Sequence, residues 1–134
     1  MAKVRLDKQL IAITENKVGM LAEVSSAVSA TGINIQAICA YAMENEAHFM
    51  LVTDNNQNAK AALEAKGYKV KEEDAVLVEL PNRIGVLQEM AEKLKGESIN
   101  LEYIYGTTCS AKCDCLLIFT SDNNARAIEV LKKA

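Results

Sequence analysis

The chain has 134 residues, 50% of them hydrophobic, and a formal net charge of −3. That length suits one domain or two small ones, and the acidic balance argues against nucleic acid or an anionic membrane surface as a partner. Residues 1–8 are too charged for a signal peptide, and no apolar run approaches the roughly 18 residues of a membrane span. We therefore expect a cytoplasmic protein.

The first part of the chain predicts a strand, a turn and a helix. Residues 9–14 form a short β-branched run, which is typical of a strand. After a turn at Asn16 to Gly19, apolar residues fall at positions 20, 21, 24 and 28, on one face of a helix. Gly32 then provides a stop, because glycine adopts the left-handed cap conformation without steric cost.

The next segment predicts a hairpin, a second helix and a short strand. Residues 33–41 and 47–53 are aliphatic runs separated by turn-forming residues, so they read as a strand pair. A helix over residues 57–66 ends at Gly67, and residues 68–71 add a fourth strand. The predicted order is β-α-β-β-α-β.

The second half repeats this order but stops one strand short. Residues 75–80 predict a strand, the helix that follows closes at Gly96, and residues 99–108 and 115–120 form a hairpin before a last helix. No fourth strand follows that helix. An extension of the first strand over residues 3–8 is the candidate to fill its place.

The two copies divide the chain near its middle. Residues 72–74 are the only candidate joint, so we assign one repeat to residues 1–72 and the other to residues 73–134. A β-α-β-β-α-β order gives an antiparallel sheet with both helices on one face, which is an α+β architecture. The bare face of each sheet would need cover from another copy.

The turn between the first strand and the first helix of each copy is a repeated motif. Asn16-Lys17-Val18-Gly19-Met20-Leu21 recurs as Asn82-Arg83-Ile84-Gly85-Val86-Leu87, and Ile33-Asn34-Ile35 recurs at the same offset as Ile99-Asn100-Leu101. A helix that begins here has backbone N–H groups without partners, and its dipole favours an anion. The glycine would admit a ligand close to the backbone, and the asparagine can both donate and accept, which suits an amino acid. The same residues equally allow a structural turn in which asparagine caps the helix.

These motifs in this order resemble the ACT domain, a small-molecule regulatory module, and the arrangement is similar to stand-alone tandem ACT proteins. The resemblance covers residues 7–71 and 74–134. It implies an α+β fold of two ferredoxin-like βαββαβ repeats with antiparallel sheets, the second lacking an obvious final strand, paired side by side into a larger sheet. It also implies a non-catalytic homodimer without a cofactor, which binds a small amino acid between repeats and regulates an enzyme or another regulator.

The resemblance further implies which residues form the ligand site. The turn of one repeat would face the opening of the second strand in a partner repeat. The implied residues are Asn16, Val18, Gly19, Met20 and Leu21 with Asn100 and Leu101, and Asn82, Ile84, Gly85, Val86 and Leu87 with Asn34 and Ile35. Both turns begin with asparagine where many family members carry aspartate, so the identity of the amino acid stays open.

Two other functions stay open. The fold could serve as a ligand-free interaction or dimerisation module for a partner enzyme. Cys109, Cys113 and Cys115 could instead form a metal or redox site, since thiolates bind zinc. Their spacing is not that of a usual zinc knuckle and lacks a fourth ligand nearby. Because a cytosolic chain keeps its thiols mostly reduced, we expect unpaired thiols and no metal. No acid–base or nucleophile constellation predicts catalysis.

Overall fold

The computed structural model describes residues 3–108 and 113–132. Its ten elements are β1 (Lys3–Glu15), α1 (Met20–Ser29), β2 (Ile35–Met43), β3 (Glu46–Thr53), α2 (Asn56–Ala65), β4 (Lys69–Leu80), α3 (Val86–Gly96), β5 (Leu101–Thr107), β6 (Cys115–Ser121) and α4 (Asn124–Lys132). β3 pairs antiparallel with β1 and β2, and β6 pairs antiparallel with β4 and β5. The predicted α+β class with two ferredoxin-like repeats is confirmed.

Two compact units divide the chain, and their limits cut through two strands. We call residues 8–73 the first-repeat unit, and residues 1–7 together with 74–134 the second-repeat unit. The strand order is β2-β3-β1-β4 in the first-repeat unit and β1-β4-β6-β5 in the second-repeat unit. One end of β1 and one end of β4 therefore belong to each unit.

The start of β1 supplies the strand that the second sequence repeat lacks. Val4 belongs to the apolar core of the second-repeat unit, together with Val78 and Phe119. Arg5 lies on the same strand, and its Nη1 atom is 3.9 Å from Oε2 of Glu79. The expectation that residues 3–8 fill this place agrees with residues 3–7 of the structure.

β4 runs without interruption through residues 72–74, where the sequence predicted a joint. The interpretation of separate strands at 68–71 and 75–80 is therefore wrong. Gly67 and Pro81 flank this stretch, and no glycine or proline lies between them. Because no turn residue interrupts it, the charged run continues the strand instead of ending it.

Each unit has an aliphatic core between its sheet and its two helices. In the first-repeat unit Leu10 lies opposite Leu51 and Ala12 opposite Phe49, so alternate residues of β1 face the helices. In the second-repeat unit the matching pairs are Val76 with Phe119, Val78 with Leu117 and Leu80 with Cys115. The helices contribute a buried alanine and a buried leucine at equivalent positions, Ala59 and Leu63 in α2 and Ala127 and Leu131 in α4.

The first helix of each unit ends in a left-handed residue, but only one of these residues is glycine. Gly32 has φ 78° after α1, as predicted. After α3 the left-handed residue is Ser98, with φ 57°, and Gly96 is instead the last helical residue. The helix α3 therefore ends at Gly96, as predicted, and the left-handed residue lies two positions further on. Among the described residues, no helix is long and apolar enough to cross a membrane.

Candidate functional site

The strand-to-helix turn has the same backbone conformation in both repeats. Gly19 (φ 91°, ψ −1°) and Gly85 (φ 85°, ψ −2°) are the N-cap residues of α1 and α3. A Cβ at either glycine would meet no atom within 4 Å, so the backbone angle requires glycine and the packing does not. The carbonyl of each glycine accepts the first helical bond, from Glu23 N–H and from Glu89 N–H, both at 3.0 Å. In the second repeat the N–H of Val86, the first residue of α3, donates to the carbonyl of Arg83 at 3.3 Å.

The first asparagine of the motif does not cap the helix. No side chain forms a capping hydrogen bond at the N-terminus of α1 or of α3. Asn16 instead donates from Nδ2 to the carbonyl of Glu44 at 3.2 Å and from its backbone N–H to the carbonyl of Asn45 at 2.9 Å. The capping interpretation is wrong, and the role of Asn16 in its own unit is to fix the turn to the β2–β3 hairpin.

Aliphatic side chains project from both turns into solvent. Val18 and Ile84 are 102% and 100% exposed, and Leu21 and Leu87 are 56% and 53% exposed. Each turn therefore places two apolar side chains at the surface of its unit. Of the other predicted ligand residues in the turns, Met20 is buried in its unit's core, and Val86 packs against the core of its own unit.

The residue before β2 and the residue before β5 are each held by a pair of hydrogen bonds to an aspartate, and we call this pair the clasp. The N–H of Asn34 donates to Asp54 Oδ1 at 3.1 Å, and the N–H of Asp54 donates to the carbonyl of Asn34 at 3.2 Å. Asn100 and Asp122 form the same two bonds, at 3.2 and 3.0 Å. In the described part of the chain, the amide side chains of both asparagines form no hydrogen bond. Both residues are exposed, so their side-chain amides keep their hydrogen-bonding capacity.

Sequence reasoning missed the second duplicated motif that builds this clasp. The motif reads Thr53-Asp54-Asn55-Asn56 in the first repeat and Ser121-Asp122-Asn123-Asn124 in the second. Asn56 Oδ1 accepts bonds from the N–H and the hydroxyl of Thr53, at 3.1 and 2.6 Å, and Asn124 does the same for Ser121, at 2.9 and 2.8 Å. The signal was visible, because the last three letters of the two tetrads are identical.

Within one unit the turn and the second-strand asparagine lie apart. Asn16 precedes the start of α1, and Asn34 follows its end. The ten residues of α1 span about 15 Å, so one small amino acid cannot contact both. The same holds for Asn82 and Asn100 around α3. The predicted contacts of Gly19 with Asn100 and of Gly85 with Asn34 stay predictions about a partner repeat.

The two turns differ in the charged residues beside the glycine. Arg83 donates from Nη1 to Glu89 Oε1 at 3.0 Å, and its Nη2 bonds to the other oxygen of the same carboxylate. This two-point hydrogen bond raises the pKa of Arg83 and holds the pKa of Glu89 below its usual value of 4.5. At the matching positions of the first repeat, Lys17 Nζ lies 4.0 Å from Glu15, and Lys17 and Glu23 both line an open cavity.

The expectation that all the cysteines are unpaired thiols is wrong. Cys39 and Cys115 are free thiols, whereas Cys113 takes part in a disulfide. The third member of the possible metal site, Cys109, lies outside the described residues. Among the residues that the structure describes, no cluster of three His, Cys, Asp or Glu side chains could hold a metal.

Several known proteins share this arrangement. A family model described as an ACT domain pair matches residues 6–134. Protein BT0572 from Bacteroides thetaiotaomicron is 27% identical over 97% of this chain and 89% of that chain, with a TM-score of 0.89. The ligand-free regulatory subunit of aspartate kinase from Thermus thermophilus is 21% identical over 98% of this chain and 95% of that one, with a TM-score of 0.67. A comparison with curated proteins gives no match.

These likenesses carry different weight. At 21% identity, the aspartate kinase subunit shows a shared fold and nothing finer. The family model spans nearly the whole chain, including both turns and both clasps. The chain belongs to the family of ACT domain pairs.

Proposed function

We propose that the protein is a non-catalytic, cytoplasmic regulator that binds a small amino acid at an interface between ACT repeats. The observation that carries the proposal is the doubled turn, in which Gly19 and Gly85 adopt the same left-handed conformation beside exposed aliphatic residues. The regulatory subunit of aspartate kinase from Thermus thermophilus has the same fold, which makes a regulatory role a natural one for this architecture.

The chemistry of the turn suits an α-amino acid. The first-turn amides of α1 and α3 that have no partner within the helix would be donors for a carboxylate. The exposed side chains beside them, Val18 with Leu21 and Ile84 with Leu87, offer apolar surface. An asparagine amide from a partner repeat, Asn34 or Asn100, would complete the site by accepting from the ammonium group.

A ligand held in this way would act by favouring one arrangement of ACT repeats over another. That effect requires a higher affinity for the favoured arrangement, since a ligand with equal affinity for both shifts neither. The partner would be a second copy of the chain, together with an enzyme or regulator that reads the favoured arrangement.

A thermal-shift screen against each proteinogenic amino acid tests the proposal. A ligand that binds only the folded protein at ~100 times its dissociation constant adds about 2.7 kcal/mol of stability. We expect one amino acid, or one chemical group of them, to raise the melting temperature. Val18→Ser and Ile84→Ser should reduce that rise, whereas Ile104→Ser, at an exposed position of β5 outside the proposed site, should not. If no amino acid at millimolar concentration stabilises the protein, the proposal fails.

A ligand-free interaction module is the second candidate, and the full exposure of Val18 and Ile84 favours it. In that case the aliphatic side chains would be covered by a protein partner. The chain would then copurify with that partner, and no amino acid in the screen would raise its melting temperature. Val18→Ser would release the partner.

A further inference from the structure

Three cysteines lie in or beside the connection between β5 and β6, and the proposed function uses none of them. They are Cys109, Cys113 and Cys115. Cys113 takes part in a disulfide whose second sulfur lies outside the described residues. Cys115 is a free thiol, and so is Cys39 in the first repeat. An oxidised and a reduced cysteine therefore stand two positions apart in the chain.

The surroundings of Cys113 suit a reversible reaction, and those of Cys115 do not. Cys113 is half-buried and the residue after it, Asp114, is exposed, so a small thiol or disulfide in solution can reach the Cys113 sulfur. Cys115 is 9% exposed and packs in the apolar core of the second-repeat unit, where a thiol is inert. A disulfide that solvent reaches is reduced more easily than a buried structural one. The disulfide at Cys113 is therefore placed to open and close.

A disulfide in the cytoplasm is rarely a permanent part of the fold. Cytoplasmic proteins keep their thiols mostly reduced, and the disulfides that they form are usually transient and either catalytic or redox-sensing. This step rests on the proposed function for the compartment and for the absence of catalysis. The class of disulfide that remains for Cys113 is a redox-sensing one.

The strand that follows Cys113 pairs with the end of β4, next to the second turn. Cys115 begins β6 and lies opposite Leu80, the last residue of β4. Pro81 comes next, and residues 82–85 form the turn before α3. Because Cys113 is two positions before Cys115, the disulfide is close along the chain to the strand pair that carries the turn.

The first repeat shows how a connection between middle strands holds such a turn. Its β2–β3 connection consists of residues 44–45, and Asn16 of the first turn donates to the carbonyls of Glu44 and Asn45, at 3.2 and 2.9 Å. The β5–β6 connection is longer, residues 108–114, and a longer connection loses more conformational entropy when it is ordered. A disulfide that includes Cys113 reduces that loss. Oxidation of Cys113 therefore favours an ordered connection beside the second turn.

We propose that the disulfide at Cys113 is a reversible redox switch that acts on the second turn and not on the first. In the oxidised form the β5–β6 connection supports the turn that begins at Asn82, and in the reduced form this support is lost. The first turn is insensitive to the switch, because its connection, Glu44-Asn45, contains no cysteine.

The oxidant and the reductant of the switch are a small disulfide and a small thiol, such as the two forms of glutathione. One cysteine thiolate attacks the small disulfide, breaks its S–S bond and releases a thiol, which leaves a mixed disulfide on the chain. The second cysteine thiolate then displaces the other small thiol and closes the internal S–S bond. The two cysteines are oxidised while the small disulfide is reduced to two thiols, and an excess of small thiol reverses both steps.

Thiol trapping of the full chain, in glutathione buffers from fully reduced to fully oxidised, tests the chemistry. We expect one transition within the range of cytosolic buffers, in which the alkylatable thiols of the unfolded chain fall from four to two. Cys113→Ser and Cys109→Ser should each abolish this transition. Cys39→Ser, which removes a thiol of the first repeat, should leave it unchanged.

Amide NMR across the same buffers tests the action on the turn. The amides of Asn82, Arg83 and Gly85 should shift together with the thiol transition, and those of Asn16 and Gly19 should not. The Cys113→Ser protein should give the spectrum of the reduced wild type in every buffer, which also shows that the variant folds. No amino acid is added, so the result is independent of the ligand screen that tests the proposed function.

Every other outcome overturns the inference. Four reduced thiols in all buffers would mean that no disulfide forms, and a disulfide that persists in all of them would be a permanent cross-link. A transition that survives Cys113→Ser, or a doubled mass without reductant, would assign the oxidation to other sulfurs or to a bond between chains. Equal shifts at both turns, or none at the second, would show that the disulfide does not act on the second turn alone.

Discussion

The two strand-to-helix turns share a backbone and differ in their charges. Gly19 and Gly85 agree in φ within a few degrees, yet Lys17 lines an open cavity while Arg83 is bound to Glu89. The backbone depends on one residue type at one angle, so any replacement of the glycine is strained. The charged side chains are exposed and do not pack in a core, so they can differ between the two copies without loss of the fold. The two copies therefore share one scaffold and differ in the charges beside their turns.

The largest effects should come from two residues of one strand that belong to different cores. Leu10 is buried in the first-repeat core and Val4 in the second. Leu10→Ala should cost about 3 kcal/mol of unfolding free energy, and Val4→Ala about 1–2 kcal/mol. Hydrogen exchange should report lost protection in α1 and α2 for Leu10→Ala and in α3 and α4 for Val4→Ala. If both variants affect the same helices, the division at residues 7 and 8 is wrong.

The glycines of the two turns should respond alike. Gly19→Ala and Gly85→Ala should each cost about 1–2 kcal/mol, because alanine is strained at positive φ while the surrounding space is open. Urea denaturation of the two variants measures the costs side by side. Gly96→Ala is the control, since Gly96 is helical and has equally open space, and it should be neutral or stabilising. Clearly unequal costs at the two turns would contradict their equivalence.

The end of the first helix offers a smaller and directional test. Ser98 has φ 57° where the first repeat has Gly32 at φ 78°. Ser98→Gly should therefore stabilise the protein by about 0.5–1 kcal/mol, and Gly32→Ser should destabilise it by a similar amount. Thermal unfolding of both variants gives the two values. A destabilised Ser98→Gly would mean that the serine side chain makes a contribution that outweighs its backbone strain.

The smallest effect concerns the charge pair of the second turn. The folded-state pKa of Glu89 lies below 4.5 because of its hydrogen bonds to Arg83. The pair therefore stabilises the folded state above the unfolded pKa, and this contribution is lost as the pH falls through the lower folded value. Arg83→Gln should return the pKa of Glu89 toward 4.5, as carboxyl-carbon NMR would show. An unchanged titration would mean that Arg83 does not hold Glu89, and with it the contrast between the turns would disappear.

Local patterns in the sequence predicted most of the elements. Apolar periodicity located the helices, and the glycines at positions 19, 32, 67 and 85, all with positive φ, marked the turns. The role of Asn16 could not be predicted, because its partner Glu44 lies 28 residues away and the bond depends on how the hairpin folds back. The left-handed conformation of Ser98 was not predicted, because serine rarely adopts a positive φ.

The unpredicted parts of the site also depend on long-range contacts. The cavity beside the first turn requires Tyr68 and Lys69, which are remote in sequence from the turn and carry no motif. The Arg83–Glu89 bond, by contrast, joins residues six positions apart, but Lys17 and Glu23 have the same spacing and no such bond is seen between them. Spacing alone therefore could not distinguish the two turns.

Each unit contains one end of β1 and one end of β4. The two halves of the chain are therefore not equivalent. A break after residue 73 would leave the first half with its whole unit, including its share of β4, residues 69–73. The second half would lose residues 3–7, and its own part of β4 would become an open edge that invites association with other chains. Such a break would therefore remove Val4 from the core of the second half and leave the core of the first half complete.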